Sequence, residues 1–162
     1  MLICMRNLCA LFFLLLALAS AQSAAAPKKK GPTMQARGTF EVTLEKQSDA
    51  NLTGTLARMT ISKQFHGDLE GTSSGQMLSA GSPAKGSAGY VAMELVSGTL
   101  GGHKGTFVLQ HSATMAHGAQ EMSITVVPDS ASEELTGLSG RMKIIIEGGR
   151  HAYEFEYSLS PR

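Results

Sequence analysis

Apolar and polar positions alternate with period two through most of this chain. After residue 30, no stretch keeps the i, i+3, i+4, i+7 spacing of a helix over a helical length. Thr39–Leu44 puts Phe40, Val42 and Leu44 on one face, and Arg58–His66 puts Met59, Ile61, Lys63 and Phe65 together. Leu69–Ser74 and Gln76–Ala80 read as two short strands around Gly75, and Gly89–Thr99 as one long one. Thr106–Met115 aligns Phe107, Leu109, His111, Ala113 and Met115, and Gln120–Val127 aligns Met122, Ile124 and Val126. Gly140–Glu147 aligns Met142, Ile144 and Ile146, and His151–Leu159 aligns Tyr153, Phe155, Tyr157 and Leu159.

Turn chemistry separates these runs. Lys85-Gly86, Gly101-Gly102 and Gly148-Gly149 supply positive φ for tight hairpins, and His117-Gly118-Ala119 is short enough for another. Pro128 ends a strand because it has no N–H for the ladder. Glu133–Ser139 is the one place that allows a helical turn. Short strands at this spacing predict an all-β fold, a sandwich or a barrel. One-faced alternation on nearly every strand favours a single antiparallel sheet closed into a barrel of about eight strands, since closure removes aggregation-prone edges.

Composition divides the chain unevenly. Cys4 and Cys9 lie in the first 21 residues, and all 18 glycines lie after them. Arg6, the apolar run Leu8–Ala19 and the small residues Ala19-Ser20-Ala21 read as a signal peptide over residues 1–21. Twelve apolar residues fall short of the roughly 20 that span a bilayer, so cleavage would leave no membrane span. The expectation is a secreted or periplasmic protein with a flexible linker at 22–36, a barrel domain at 37–160 and a second flexible stretch at 46–56. Loss of the leader removes both thiols and with them thiol chemistry. The chain carries a formal net charge of +1, and from Ala36 onward acidic residues outnumber basic ones, which argues against a nucleic-acid partner.

Certain strings form a familiar order: Arg37-Gly38-Thr39-Phe40-Glu41-Val42, then Lys63-Gln64-Phe65-His66-Gly67-Asp68-Leu69-Glu70-Gly71. Gly86–Glu94, Gly105–His111, Val126-Val127-Pro128-Asp129-Ser130 and Leu135–Gly140 continue it. Over about residues 37–159 the chain resembles an uncharacterised bacterial family known only as a domain of unknown function. That family is similar in fold to allene oxide cyclase, a small antiparallel barrel related in shape to lipocalins. The resemblance implies the barrel and leaves room for a homo-oligomer built through outer faces. It implies no reaction, because fold alone does not carry function. Many members lack a leader, so this chain departs from them there.

Polar side chains inside a small barrel need partners or a purpose. The strand parities send Lys63, Tyr90, Glu94, His111, Tyr153 and Tyr157 inward, a set able to hold the polar head of a small, largely apolar or carboxylate-bearing ligand. Lys63 or His111 would engage a carboxylate, and the tyrosines would donate hydrogen bonds. The same set could act as a cofactor-free isomerase or cyclase, with Glu94 or His111 as general base and a tyrosine on the oxyanion. It could equally close a filled core around a Lys–Glu pair. Strand 89–99 also permits the opposite parity, with Val91, Met93 and Leu95 inward and Glu94 outside.

Other chemistry is weaker. Gly71-Thr72-Ser73-Ser74-Gly75 matches the nucleophile-elbow string, and Asp129 and His151 follow in order, but no helical pattern follows Ser73. His66, His103, His111, His117 and His151 form no metal-ligand spacing, so no metal and no cofactor are expected. Met59, Met93, Met115, Met122 and Met142 lie in strands, suited to soft packing or to an adaptable apolar cavity.

Overall fold

The computed structural model of the chain describes residues 31–48 and 55–160. The expected leader, most of the linker and the centre of the stretch 46–56 lie outside the described residues. Eight strands follow in chain order: β1 Met34–Gln47, β2 Leu56–Gly67, β3 Leu69–Gly81, β4 Ala88–Leu100, β5 His103–Ala116, β6 Ala119–Val126, β7 Leu138–Glu147 and β8 Arg150–Leu159. Each pairs antiparallel with its chain neighbour, and β1 pairs with β8 from Met34↔Tyr157 to Phe40↔His151, closing the barrel. No helix among the described residues is long and apolar enough to cross a membrane.

Two boundaries differ from the sequence reading. β1 begins at Met34, so the last three residues of the expected linker belong to the sheet. Ala36 is buried and pairs with Phe155, which anchors that end of the strand. β3 is one continuous strand rather than two pieces around Gly75. Gly75 pairs with Glu94, and a Cβ there would collide with the Met93 carbonyl. Glycine here marks a close approach of two backbones and does not break the strand.

Three hairpins follow the expected turn chemistry; Lys85-Gly86 instead lies in the longer connection 82–87, where Gly86 but not Lys85 has positive φ. Gly101-Gly102, Gly148-Gly149 and His117-Gly118 all have positive φ at both central residues, as type I′ turns require. The β6–β7 connection is longer and crosses one end of the barrel, with a 3₁₀ turn at Glu133–Leu135. Where β6 ends, Ser130 and Ser132 take over the pairing with β5. Their hydroxyls accept the Val108 and Thr106 N–H groups, each at 3.1 Å, so the edge of β5 stays satisfied. Leu135 is thereby driven into the interior and is fully buried.

That end is closed. Phe65, Leu69, Val96, Leu100, Phe107, Leu109 and Phe155 are fully buried there. Phe65 meets Phe40 tilted at 5.5 Å and Tyr153 edge to face at 5.7 Å, while Phe155 stacks on Phe107 at 5.9 Å and meets Tyr157 tilted at 5.4 Å. Toward the opposite end the inward positions lose their cover one after another. On β1, Phe40 is buried, Val42 half-buried and Leu44 52% exposed; on β7, Met142 is buried, Ile144 half-buried and Ile146 57% exposed. β5 runs the same way, from Phe107 through His111 and Ala113 to the exposed Met115.

Candidate functional site

The parity of β4 decides which side chains share the interior. Val91, Met93 and Leu95 are 54%, 51% and 49% exposed on the outer wall, while Glu94 is fully buried. The reading with Glu94 inward is the one the structure adopts. The reason is visible in its neighbours: the interior offers this carboxylate three polar partners. β2 supplies Lys63, whose Nζ lies 2.7 Å from Glu94 Oε2. β5 supplies His111, whose Nε2 lies 2.9 Å from the same oxygen, although this contact lacks the alignment of a hydrogen bond. β3 supplies Ser73, whose hydroxyl donates to Glu94 Oε1. The absence of a side chain at Gly75, directly beside Glu94, leaves space for this packing.

The energetics follow from burial. Removing Glu94 from water would by itself raise its pKa. The close approach of His111 Nε2, the charge and hydrogen bond of Lys63 and the hydrogen bond from Ser73 reverse that and lower it to about 2. Lys63 sits 5.0 Å and 5.6 Å above the Phe40 and Phe65 rings, so its remaining surface faces aromatic π-density. A carboxylate this acidic, with its oxygens occupied, is a weak proton acceptor and a strong internal counter-ion. The cluster joins β2, β3, β4 and β5 at mid-height, between the closed end and the open one.

Above it lies a layer of Ile61, Met77 and Ala92, against which Val42, Met59 and Tyr90 pack. Above that layer the barrel holds a recess of about 210 Å³, bounded by Leu44, Met59, Met77, Tyr90, Ala113 and Met115, with Gln120 at its rim. Of the six inward candidates, Tyr90 alone stands in this wall. Its hydroxyl meets the Met122 sulfur at 3.8 Å. Burial first, and the nearby Glu94 charge second, push its pKa up, so it is held as a neutral donor.

Lys63, Glu94 and His111 are brought together, but with one another. The contacts of Lys63 and His111 are made to Glu94. Tyr153 and Tyr157 lie at the closed end. The Tyr153 hydroxyl accepts the Leu69 N–H at 2.8 Å and faces the Leu69 and His66 carbonyls at 3.3 and 3.4 Å. Burial raises the pKa of both tyrosines, and the carboxylates that add to this are Asp68 and Glu70 for Tyr153 and Asp68 for Tyr157.

Ser73 is the member the parities did not supply. Its signal was present, because Leu69, Gly71, Ser73, Gly75 and Met77 occupy alternate positions once β3 is read through Gly75. The elbow-like string around Ser73 is extended strand, with neither turn nor helix. Among the described residues no three His, Cys, Asp or Glu side chains gather as metal ligands. His66 instead sits on the surface between Glu41 and Glu70, at 3.1 and 3.2 Å.

A larger hollow, about 700 Å³, lies along the seam of β6 and β7, which only Ile124↔Met142 and Thr125↔Arg141 join. Inward-row Met122, Ile124, Met142, Ile144 and Ile146 line it together with the outer-wall side chains Arg141, Lys143, Glu154 and Glu156. The smaller recess is the better candidate because no charged side chain lines it, and its half-buried hydroxyls are those of Tyr90 and of Ser79, which donates to the Ala57 carbonyl at 3.5 Å.

A family model described as a protein of unknown function, DUF3224, matches residues 36–157. A crystal structure of a protein of unknown function from the DUF3224 family of Shewanella oneidensis MR-1 is 46% identical. It covers 81% of this chain and 100% of its own, with a TM-score of 0.77. No curated protein matches the chain.

Proposed function

The chain belongs to the DUF3224 family, and from its own geometry we propose that it is a binding protein that holds a small, largely apolar ligand in the open half of its barrel. One observation carries this reading: the loss of cover along successive inward positions, which ends in an apolar recess of about 210 Å³ walled by Met59, Met77, Met115 and Leu44. A barrel with only a structural role would bury these side chains against one another, as the closed end does. Methionines suit a pocket that adapts its shape to an apolar guest. Binding is better supported than catalysis, because Glu94 is held at a pKa of about 2 behind the layer of Ile61, Met77 and Ala92.

Two further points belong to the same proposal. The apolar run at residues 8–19, followed by small residues, supports export to the periplasm or beyond. The closed antiparallel barrel of eight strands supports the likeness to the allene oxide cyclase form. The test is native mass spectrometry of protein purified from its own source. A retained species of small mass, lost on mild organic extraction and lost when Met77 and Ala113 are replaced by Phe, is the expected result. If the protein always flies at its bare mass and no lipid extract raises its melting temperature, the ligand reading fails.

A further inference from the structure

The chemical class of the guest follows from what surrounds the recess, and it rests on the binding reading above. We propose that the ligand is a small neutral molecule, apolar except for one carbonyl-type oxygen, and that this oxygen accepts a hydrogen bond from Tyr90. Four observations carry it.

The first is an underused donor. Tyr90 is half-buried, and its hydroxyl contacts the Met122 sulfur at 3.8 Å. A thioether is a weak acceptor, and tyrosine hydroxyls buried to this degree normally find an oxygen. Second, the available cations are committed elsewhere. Lys63 and His111 both face Glu94, beneath the layer of Ile61, Met77 and Ala92, and no charged side chain lines the recess. A ligand carboxylate would enter without a counter-charge, next to the field of Glu94 that already bears on Tyr90. Third, the donor stays a donor, because burial and that same field oppose loss of its proton. Fourth, the volume limits the size. At roughly 30 Å³ per water-sized group, a recess of about 210 Å³ takes about seven or eight heavy atoms. Of the other polar side chains in the lining, Ser79 already donates to the Ala57 carbonyl at 3.5 Å, and Thr114 and the Gln120 amide lie exposed, where water competes for them.

The test uses three probes of about equal size: 2-heptanone, its isostere 2-methyl-1-heptene, which lacks the oxygen, and hexanoate. Each is titrated into the full protein while the methyl resonances of Met59, Met77, Met115 and Met122 are followed by NMR. The ketone is expected to bind about fivefold tighter than the alkene, as one net hydrogen bond would give, and hexanoate more weakly than the ketone. Tyr90→Phe removes the ketone's advantage and leaves alkene binding within twofold. The variant keeps the ring, so its fold is checked by unchanged methyl shifts at Met142. Equal binding of ketone and alkene, or a Tyr90→Phe variant that keeps the ketone's advantage, overturns the proposal while leaving the recess as a binding site. Tightest binding by hexanoate overturns it in favour of an anionic ligand. If no probe moves the recess methyls, the binding reading falls and this proposal falls with it.

Discussion

The two ends of this barrel carry the same strand pairing and the same inward alternation, yet one is filled and the other is not. At the closed end the inward positions are Phe40, Phe65, Phe107, Tyr153, Phe155 and Tyr157, and the β6–β7 connection adds Leu135 as a plug. At the open end the inward positions on β1, β2 and β5 are Leu44, Met59 and Met115, aliphatic or flexible side chains in place of aromatic rings, with Tyr90, Met122 and Ile146 beside them on β4, β6 and β7. An eight-stranded barrel is just wide enough for side chains to fill it, so side-chain volume decides whether a given height is core or cavity. The charged cluster around Glu94 marks the boundary. Toward the closed end a cavity would be a defect; toward the open end the unfilled volume is the feature on which a binding role depends.

That contrast can be broken by substitution, and the two ends should respond on different scales. Phe155→Ala is expected to cost about 3–5 kcal/mol in urea unfolding, as large core truncations do. At the boundary, Glu94→Gln leaves the Lys63 ammonium buried without its counter-ion and is expected to cost about as much, since removing one partner of a buried pair exposes the full desolvation penalty of the other. A cost below about 1 kcal/mol in either variant would mean that the filled half is not packed as described.

Acid sharpens the same boundary. The folded pKa of Glu94 is about 2, against an ordinary 4.5, so the unfolded chain takes up its proton first. The stability this group contributes is therefore complete above about pH 4.5 and lost as the pH falls toward 2. The expected loss is about 3 kcal/mol, at 1.36 kcal/mol for each unit of difference. Glu94→Gln should lack that part of the acid dependence, and a variant that keeps it would place the titration elsewhere. Smaller effects follow. Tyr153→Phe leaves the buried Leu69 N–H without an acceptor and is expected to cost about 1–2 kcal/mol. Met115→Ala, at the exposed rim, should change stability by less than about 1 kcal/mol while weakening any guest in the recess.

Much of the architecture was legible as period two, because apolar residues fill alternate positions on six of the eight strands, while β4 is apolar on both faces around Met93. β3 was the other exception. Its inward row contains Gly71, Ser73 and Gly75, which carry no hydrophobic signal, so the strand looked broken and Ser73 was missed. The site was legible in part, for a geometric reason. Parity states which face a residue takes but not its height in the barrel, which depends on the register between strands. Glu94, Lys63 and His111 were correctly placed inward, and register then brought them together. Tyr153 and Tyr157 were also placed inward, but register set them at the other end, against Leu69 and Gly101. The choice between the two parities of β4 rested on the partners waiting for Glu94: Ser73 and His111 on the neighbouring strands, and Lys63 on β2, which does not pair with β4.

The central claim, a barrel filled at one end and open to a small apolar guest at the other, is tested most directly by a guest with no chemistry of its own. Xenon enters apolar cavities without hydrogen bonds or charge. Methionine methyl spectra recorded under increasing xenon pressure should show saturable shifts at Met59, Met77 and Met115 and none at Met34, which packs against the filled core. Shifts at Met34 alone, or no saturable shift at any recess methyl, would contradict the account.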